Sequence, residues 1–137
     1  STMINKIYEV IEAKNIFNIP YRNIEILIHP KSYVHALIKF KNGLIKLIAH
    51  ETTMKIPIFN TIYSENLKKI KSNKINLYTL NKLNFNIVNN KRFPVIKLLK
   101  LLPEKNSLYE TVIVSANDTL VELFLKEKIK YTDIQKN

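Results

Sequence analysis

The sequence contains no cysteine. That excludes a disulfide scaffold and thiolate metal sites, and it fits a reducing compartment. There is one glycine, Gly43. A glycine-rich phosphate loop and a dinucleotide-binding fingerprint each need several, so neither is encoded here. No apolar run is long enough to span a bilayer, and the opening residues do not read as a signal peptide, so no membrane partner is expected. Carboxylates are scarce: 11 Asp+Glu face 22 Lys+Arg, for a net charge of +11. Such a charge fits nucleic acid, acidic membrane or phosphorylated ligands. The excess is nearly all lysine, however, in a chain also rich in isoleucine and asparagine, which is what an AT-rich genome writes into any protein. No arginine stripe with interleaved aromatics, zinc finger or RNA-binding signature is present, so nucleic acid is not an expected partner.

What is present is enough for one domain: 137 residues, 46% of them hydrophobic. The chain is organised around residues 25–50. Asn42-Gly43 sits between two apolar runs, the strongest short-range signal for a hairpin, because a two-residue turn needs positive φ at both positions. That turn places Lys41 opposite Leu44, Phe40 opposite Ile45, Ile38 opposite Leu47 and Ala36 opposite Ala49, an apolar face. The other face pairs Lys39 with Lys46, Leu37 with Ile48 and His35 with His50. Two lysines directly opposed either splay into water or look into an anion-binding cleft. Residues 25–29 are expected as a strand of the same sheet, leaving it at His29-Pro30. His29, His35 and His50 raise the question of zinc. The best pair, His35 with His50, supplies two ligands and no third.

Residues 2–17 read as a helix with Thr2 as N-cap and an apolar stripe at Ile4, Ile7, Tyr8 and Ile11. Asn5, Glu9 and Glu12 share another face, with Lys6 beside Asn5. This is either a solvated polar edge or a small site: an amide and an ammonium for a hydroxyl or phosphate, and a carboxylate for a hard divalent cation. Met54 stands at the mouth of a polar connection, as ordinary packing or as a flexible wall over a ligand. Residues 56–63 read as a short helix, 64–81 as irregular, and 83–88 as a strand of period two. Pro94 opens a helix with Val95, Leu98, Leu99 and Leu102 on its core side, and Pro103 closes it. Ser115 and Asp118 read as the capping box of a further helix that buries Leu120, Val121, Phe124 and Leu125. Thr132-Asp133-Ile134 starts another capped helix.

Several blocks together resemble one family, 1-deoxy-D-xylulose-5-phosphate reductoisomerase. They are Thr2-Met3-Ile4-Asn5-Lys6 with Glu9 and Glu12-Ala13; Ile28-His29-Pro30-Lys31-Ser32 with Val34-His35; and Asn42-Gly43. Met54 with Pro57-Ile58, Arg92-Phe93-Pro94, Ser115-Ala116-Asn117-Asp118 and Tyr131-Thr132-Asp133-Ile134 follow in the family's order. The resemblance covers essentially the whole chain. It implies a homodimeric enzyme of the non-mevalonate isoprenoid pathway that rearranges and reduces 1-deoxy-D-xylulose 5-phosphate with NADPH and Mg²⁺ or Mn²⁺, in the cytoplasm of a bacterium or in a plastid. It implies that Asn5 and Lys6 bind the substrate's hydroxyl and phosphate end, that Glu9 is one metal carboxylate, and that His35 and Met54 lie on the substrate side.

The sequence departs from the family's pattern at Thr52 and Thr53, where a proline and an aspartate are usual, and at Asp118, where the family has glutamate. The resemblance also places the NADPH-binding domain, an Asp-x-Glu metal pair, a substrate flap, a phosphate-binding serine and a helical C-terminal domain outside these 137 residues. The expectation is therefore an α+β catalytic or connecting domain, cut from a longer enzyme. Its mostly antiparallel sheet has a tight hairpin and is covered by helices, some apolar surface stays exposed, and the chain has no catalysis of its own. The alternative is a non-catalytic basic module binding phosphorylated ligands or nucleic acid.

Overall fold

The computed structural model describes residues 3–63 and 68–135. The Thr2 cap lies outside them. The chain forms two compact units, Ser1–Ile26 with Val88–Asn137, and Leu27–Ile87. The class is α+β, with small antiparallel sheets among helices.

In the first unit, α1 spans Ile4–Phe17. It buries Ile7, Val10 and Lys14 at helical spacing; of the expected stripe Ile7 is buried, while Ile4, Tyr8 and Ile11 are half-buried. Asn18 closes it in the left-handed region at φ 51°, its N–H bonded to the Lys14 carbonyl. Asparagine tolerates that conformation better than most residues. Val10, Tyr21 and Leu102 form the core, with Ile11, Ile24, Ile26, Leu99 and Ile113 packed on them. The expected helix after Pro94 is a 3₁₀ segment, Pro94–Lys100, and the one at Thr132 is a 3₁₀ segment, Tyr131–Gln135, where Asp133 accepts the Lys130 N–H at 3.0 Å.

The long helix of this unit runs over Tyr109–Leu125 and begins six residues before the expected start. Ser115 is inside it, its carbonyl accepting from Thr119. The signal at the true start is Ser107-Leu108-Tyr109-Glu110: Ser107 Oγ accepts the Tyr109 N–H (3.2 Å) and donates to Glu110 (2.7 Å). Of the four side chains expected to be buried, Leu120 and Phe124 are half-buried, while Val121 and Leu125 are exposed.

Lys14 explains how a cation sits in the core. Its Nζ donates to Asn106 Oδ1 at 2.8 Å and lies 5.5 Å from the centre of the Tyr21 ring. Tyr21 donates its N–H to Glu104 (3.1 Å) and its hydroxyl to Glu110 (3.3 Å). Burial, the neighbouring Glu110 charge and hydrogen bond, and Glu104 push the Tyr21 hydroxyl up to about 12. Burial alone would raise Glu110, but hydrogen bonds from Ser107, its own backbone and Tyr21, together with the Lys14 charge, outweigh it and hold the carboxyl below its ordinary 4.5. A depressed carboxyl stabilises the fold above its unfolded value, and that contribution disappears as pH falls through the folded one. The raised Tyr21 contributes below pH 10 and loses the contribution as pH climbs towards 12. Thermal midpoints taken across pH are therefore expected to fall at both ends. Glu110→Gln flattens the acid limb, and an unchanged acid limb in that variant would refute the assignment.

In the second unit, β2 (Val34–Lys39) and β3 (Ile45–Ala49) form the hairpin. Its register differs by one residue from that of a two-residue turn. Lys39 pairs with Ile45, Ile38 with Lys46, Leu37 with Leu47 and Ala36 with Ile48. Gly43 alone takes positive φ, at 87°, while Asn42 uses its side chain to accept the Leu44 N–H at 3.1 Å. Phe40 bonds to Leu44 (2.8 Å) and Gly43 to Phe40 (3.0 Å). The loop is thus the three-residue kind, with glycine at its left-handed position. The slip carries Lys46 away from Lys39 and over the Phe40 ring, at 5.4 Å, which removes the like-charge opposition. It also mixes both faces, because one residue of slip turns every side chain of one strand over. Leu44, Ile45 and Ile48 are 52%, 61% and 47% exposed, so apolar surface remains open.

The strand expected at 25–29 is β1, Leu27–Ile28, and it does not join the hairpin. It pairs antiparallel with β4, Asn86–Ile87, the core of the strand expected at 83–88. Between them lie α2, Lys55–Ile62, where a short helix is expected at 56–63, and α3, Leu77–Asn81, which falls within residues 64–81, expected to be irregular. Asn76 caps α3 by accepting the Thr79 N–H.

Candidate functional site

The first turns of α1 carry Asn5, Lys6 and Glu9, all exposed. Ile7, between them, is 0% exposed and seats the helix, so the polar side chains face outward by default. Lys6 Nζ donates to Glu9 Oε2 at 2.6 Å. This pair was legible as an i, i+3 spacing of opposite charges. Met3, just before the helix, sits in the left-handed region at φ 65°, and its carbonyl accepts the Lys6 N–H at 3.0 Å. A non-glycine residue there costs about 1–3 kcal/mol, a strain that concentrates at functional segments. The helix start adds partial positive charge to that of Lys6, which favours an anion.

Glu9 fits a hard divalent cation: it is an exposed carboxylate with two oxygens, on a short side chain held by a helix. Among the described residues no group of three His, Cys, Asp or Glu could hold a metal ion.

Tyr8, on the other side of α1, turns its hydroxyl towards Asn117 and Asp118 of α4 (Tyr109–Leu125). The oxygen is shielded from solvent and completes no hydrogen bond of normal geometry. Burial, then the Asp118 charge, raise its pKa, with Asn117 working the other way.

In the second unit the three histidines do not form a zinc site. His29 donates its Nδ1–H to the Asn84 carbonyl at 2.9 Å and lies 5.3 Å from the Phe85 ring, so it stitches the two strands β1 and β4. His35 and His50 are brought together, as their neighbouring positions on the hairpin suggested, but face to face: the rings are 3.7 Å apart and 7° from parallel. Stacked rings do not converge their nitrogens on one cation. The register of the hairpin shifts between Val34 and Ala36, and Val34 pairs with Ala49. Met54 occupies the position before α2 and is 69% exposed.

Among the described residues no helix is long and apolar enough to cross a membrane. The family model for the DXP reductoisomerase C-terminal domain matches residues 50–137. The 1-deoxy-D-xylulose 5-phosphate reductoisomerase of Pelagibacter ubique (strain HTCC1062) is 60% identical over 134 residues, 98% of this chain and 34% of the relative. That of Sulfurihydrogenibium sp. (strain YO3AOP1) is 36% identical over 136 residues, 99% of this chain and 36% of the relative. The chain thus spans about a third of the length of the curated relatives it matches. Among solved structures, the Zymomonas mobilis enzyme in complex with NADPH superposes with a TM-score of 0.88 at 30% identity, over 99% of this chain and 36% of that one. A reductoisomerase with fosmidomycin and magnesium gives 0.83 at 33% identity, over 98% and 33%.

Proposed function

The chain belongs to the 1-deoxy-D-xylulose 5-phosphate reductoisomerase family, and from that membership we propose that it is the catalytic or connecting part of an enzyme of that activity. The intact enzyme rearranges 1-deoxy-D-xylulose 5-phosphate and reduces it with NADPH to 2-C-methyl-D-erythritol 4-phosphate, on the non-mevalonate route to isoprenoids. The observation that carries this reading is the α1 set, an amide, an ammonium and a carboxylate within two turns of a helix whose other side is buried.

Each residue has a role that follows from its chemistry. The Asn5 amide both donates to and accepts from a substrate hydroxyl. The Lys6 ammonium meets the charge of the phosphorylated end, assisted by the helix start. Glu9 gives an oxygen ligand to Mg²⁺ or Mn²⁺, which when bound polarises the substrate's ketone and hydroxyl oxygens. In the absence of a cation Lys6 neutralises Glu9. His35 and Met54 take supporting and lining roles on the substrate side. NADPH is held by parts of the family's fold other than this chain, whose single glycine leaves no dinucleotide loop.

We assign the intact enzyme to the cytoplasm of a bacterium or to a plastid, and to a homodimer, which the open apolar side chains of the hairpin suit. The alternative of a basic module without catalysis draws no support from the relatives.

The test is NADPH oxidation in the presence of 1-deoxy-D-xylulose 5-phosphate and Mn²⁺. The intact enzyme is expected to turn over, and the 137 residues by themselves are expected to give no rate above background. Turnover by the 137 residues would show that the chemistry needs neither further carboxylates nor a separate NADPH-binding part, and would overturn the assignment of roles.

A further inference from the structure

We propose that the Lys6–Glu9 ion pair couples the binding of anion and divalent cation at the start of α1. Each side chain is withheld from its own ligand by the other, and engagement of either one releases its partner for the second ligand. This coupling rests on the roles given above to Lys6, at the phosphorylated end, and to Glu9, as a metal carboxylate, and adds a linkage between them.

The two groups suited to ligands of opposite charge are in contact with each other. Lys6 Nζ donates to Glu9 Oε2 at 2.6 Å, a charge-assisted hydrogen bond. The ammonium therefore sits on an oxygen that a cation needs, and the carboxylate neutralises the charge that an anion needs. Neither residue meets its ligand ready-made.

The pair is also placed to open. Its side chains are 48% and 56% exposed, so water solvates both ions as they part. An exposed pair of this kind is held weakly, whereas a buried one would be locked by the penalty of leaving a charge unpaired. Ile7, fully buried, seats the same turn of helix, so the backbone of both positions stays where it is. Side-chain rotation is then sufficient, and the flexible four-carbon stem of Lys6 supplies it.

The sign of the linkage follows. A lone anion or a lone cation has to open the pair for itself. Once Glu9 is engaged, Lys6 has no counter-charge and is free for the anion, and the converse holds when Lys6 is engaged. Each ligand tightens the other by the same factor, and the strength of an exposed pair limits that factor to about two- to fivefold. A molecule that carries an anionic end and metal-binding oxygens together opens the pair once for both contacts, and is favoured over either ion alone.

The experiment follows Mn²⁺ binding to the intact enzyme by the free-ion signal in electron paramagnetic resonance, without and with saturating inorganic phosphate. A protein-free titration subtracts the Mn²⁺ that phosphate itself holds. Phosphate is expected to tighten Mn²⁺ binding by about two- to fivefold in the unaltered enzyme. Lys6→Gln has no pair to open. Mn²⁺ alone should bind it as tightly as it binds the unaltered enzyme with phosphate, and phosphate raised to saturate the variant should add nothing. Lys6→Arg restores the pair and the dependence on phosphate. Calorimetric titration with phosphate, and Mn²⁺ binding to Glu9→Gln, check the two roles separately. No effect of phosphate in the unaltered enzyme would overturn the coupling. So would an equal effect in Lys6→Gln, where the two ions would be attracting each other directly; both roles would then stand if phosphate is weakened by Lys6→Gln and Mn²⁺ by Glu9→Gln. Phosphate binding indifferent to Lys6→Gln, or Mn²⁺ binding indifferent to Glu9→Gln, would overturn that residue's role and the coupling with it.

Discussion

Glu9→Gln is expected to lower the turnover of the intact enzyme by about three orders of magnitude, because metal-assisted charge stabilisation is worth several kcal/mol and each 1.36 kcal/mol is tenfold in rate. The substitution is nearly isosteric, and Glu9 is exposed on α1 with no part in the core. It pairs with Lys6 through an exposed i, i+3 ion pair. Such pairs contribute little to stability, so the thermal midpoint should stay almost where it was. The loss must therefore appear in the metal dependence. Half-saturation by Mn²⁺, followed by the decrease of the free-ion signal in electron paramagnetic resonance, should move to higher concentration while NADPH affinity holds. An unchanged Mn²⁺ half-saturation would remove Glu9 from the metal site, whatever the rate did. Lys6 offers a useful contrast. In Glu9→Gln its ammonium loses its counter-charge, so affinity for inorganic phosphate should rise slightly even as turnover collapses.

The parts of the molecule that were legible in the sequence are those decided by local periodicity. α1 is one: the expected stripe of Ile4, Ile7, Tyr8 and Ile11 is buried or half-buried, and Asn5, Glu9 and Glu12 on the other face are exposed. That the hairpin exists was legible too, from Asn42-Gly43. Its register was not, because it depends on whether Asn42 adopts positive φ or uses its side chain on the Leu44 N–H. The clash of Lys39 with Lys46 in the two-residue register was the available warning, and the observed register avoids it. The start of α4 was legible but outcompeted: Ser107 and Glu110 form the same spacing pattern as Ser115 and Asp118, and only packing distinguishes them. The pairing of β1 with β4 joins residues almost sixty positions apart, which no local pattern encodes. The Lys14 network is similar. A lysine on a helix reads as solvated until Asn106, Tyr21 and Glu110 are brought to it from elsewhere in the chain. The roles of the site residues came from resemblance, since an exposed amide, ammonium and carboxylate have the same spacing in a site as on a solvated edge.

Ile7→Ala is expected to be the most damaging single replacement for the stability of the chain. Ile7 is the largest side chain that is fully buried, at 0% exposure. Truncating a buried isoleucine to alanine costs about 2–5 kcal/mol, the transfer of three carbons to water plus the cavity they leave. Against a typical domain stability of roughly 5–15 kcal/mol that is a large share, and the midpoint of thermal unfolding should drop by about 10 °C. The same change at Ile16 provides the control. Ile16 is on the same helix and is 65% exposed, so Ile16→Ala should shift stability by no more than about 0.5 kcal/mol. Residue type, helix and change of propensity are identical in the two variants; only burial differs. Equal losses would mean that α1 is held by something other than the seating of Ile7. The comparison bears on function as well, because Lys6 and Glu9 flank Ile7 in sequence and move with the helix it anchors. In the intact enzyme, Ile7→Ala should raise the Mn²⁺ requirement well below its unfolding temperature, and Ile16→Ala should leave that requirement alone. A helix that loosens while still folded would thereby reveal that the buried face of α1 is part of what fixes its outward-facing carboxylate.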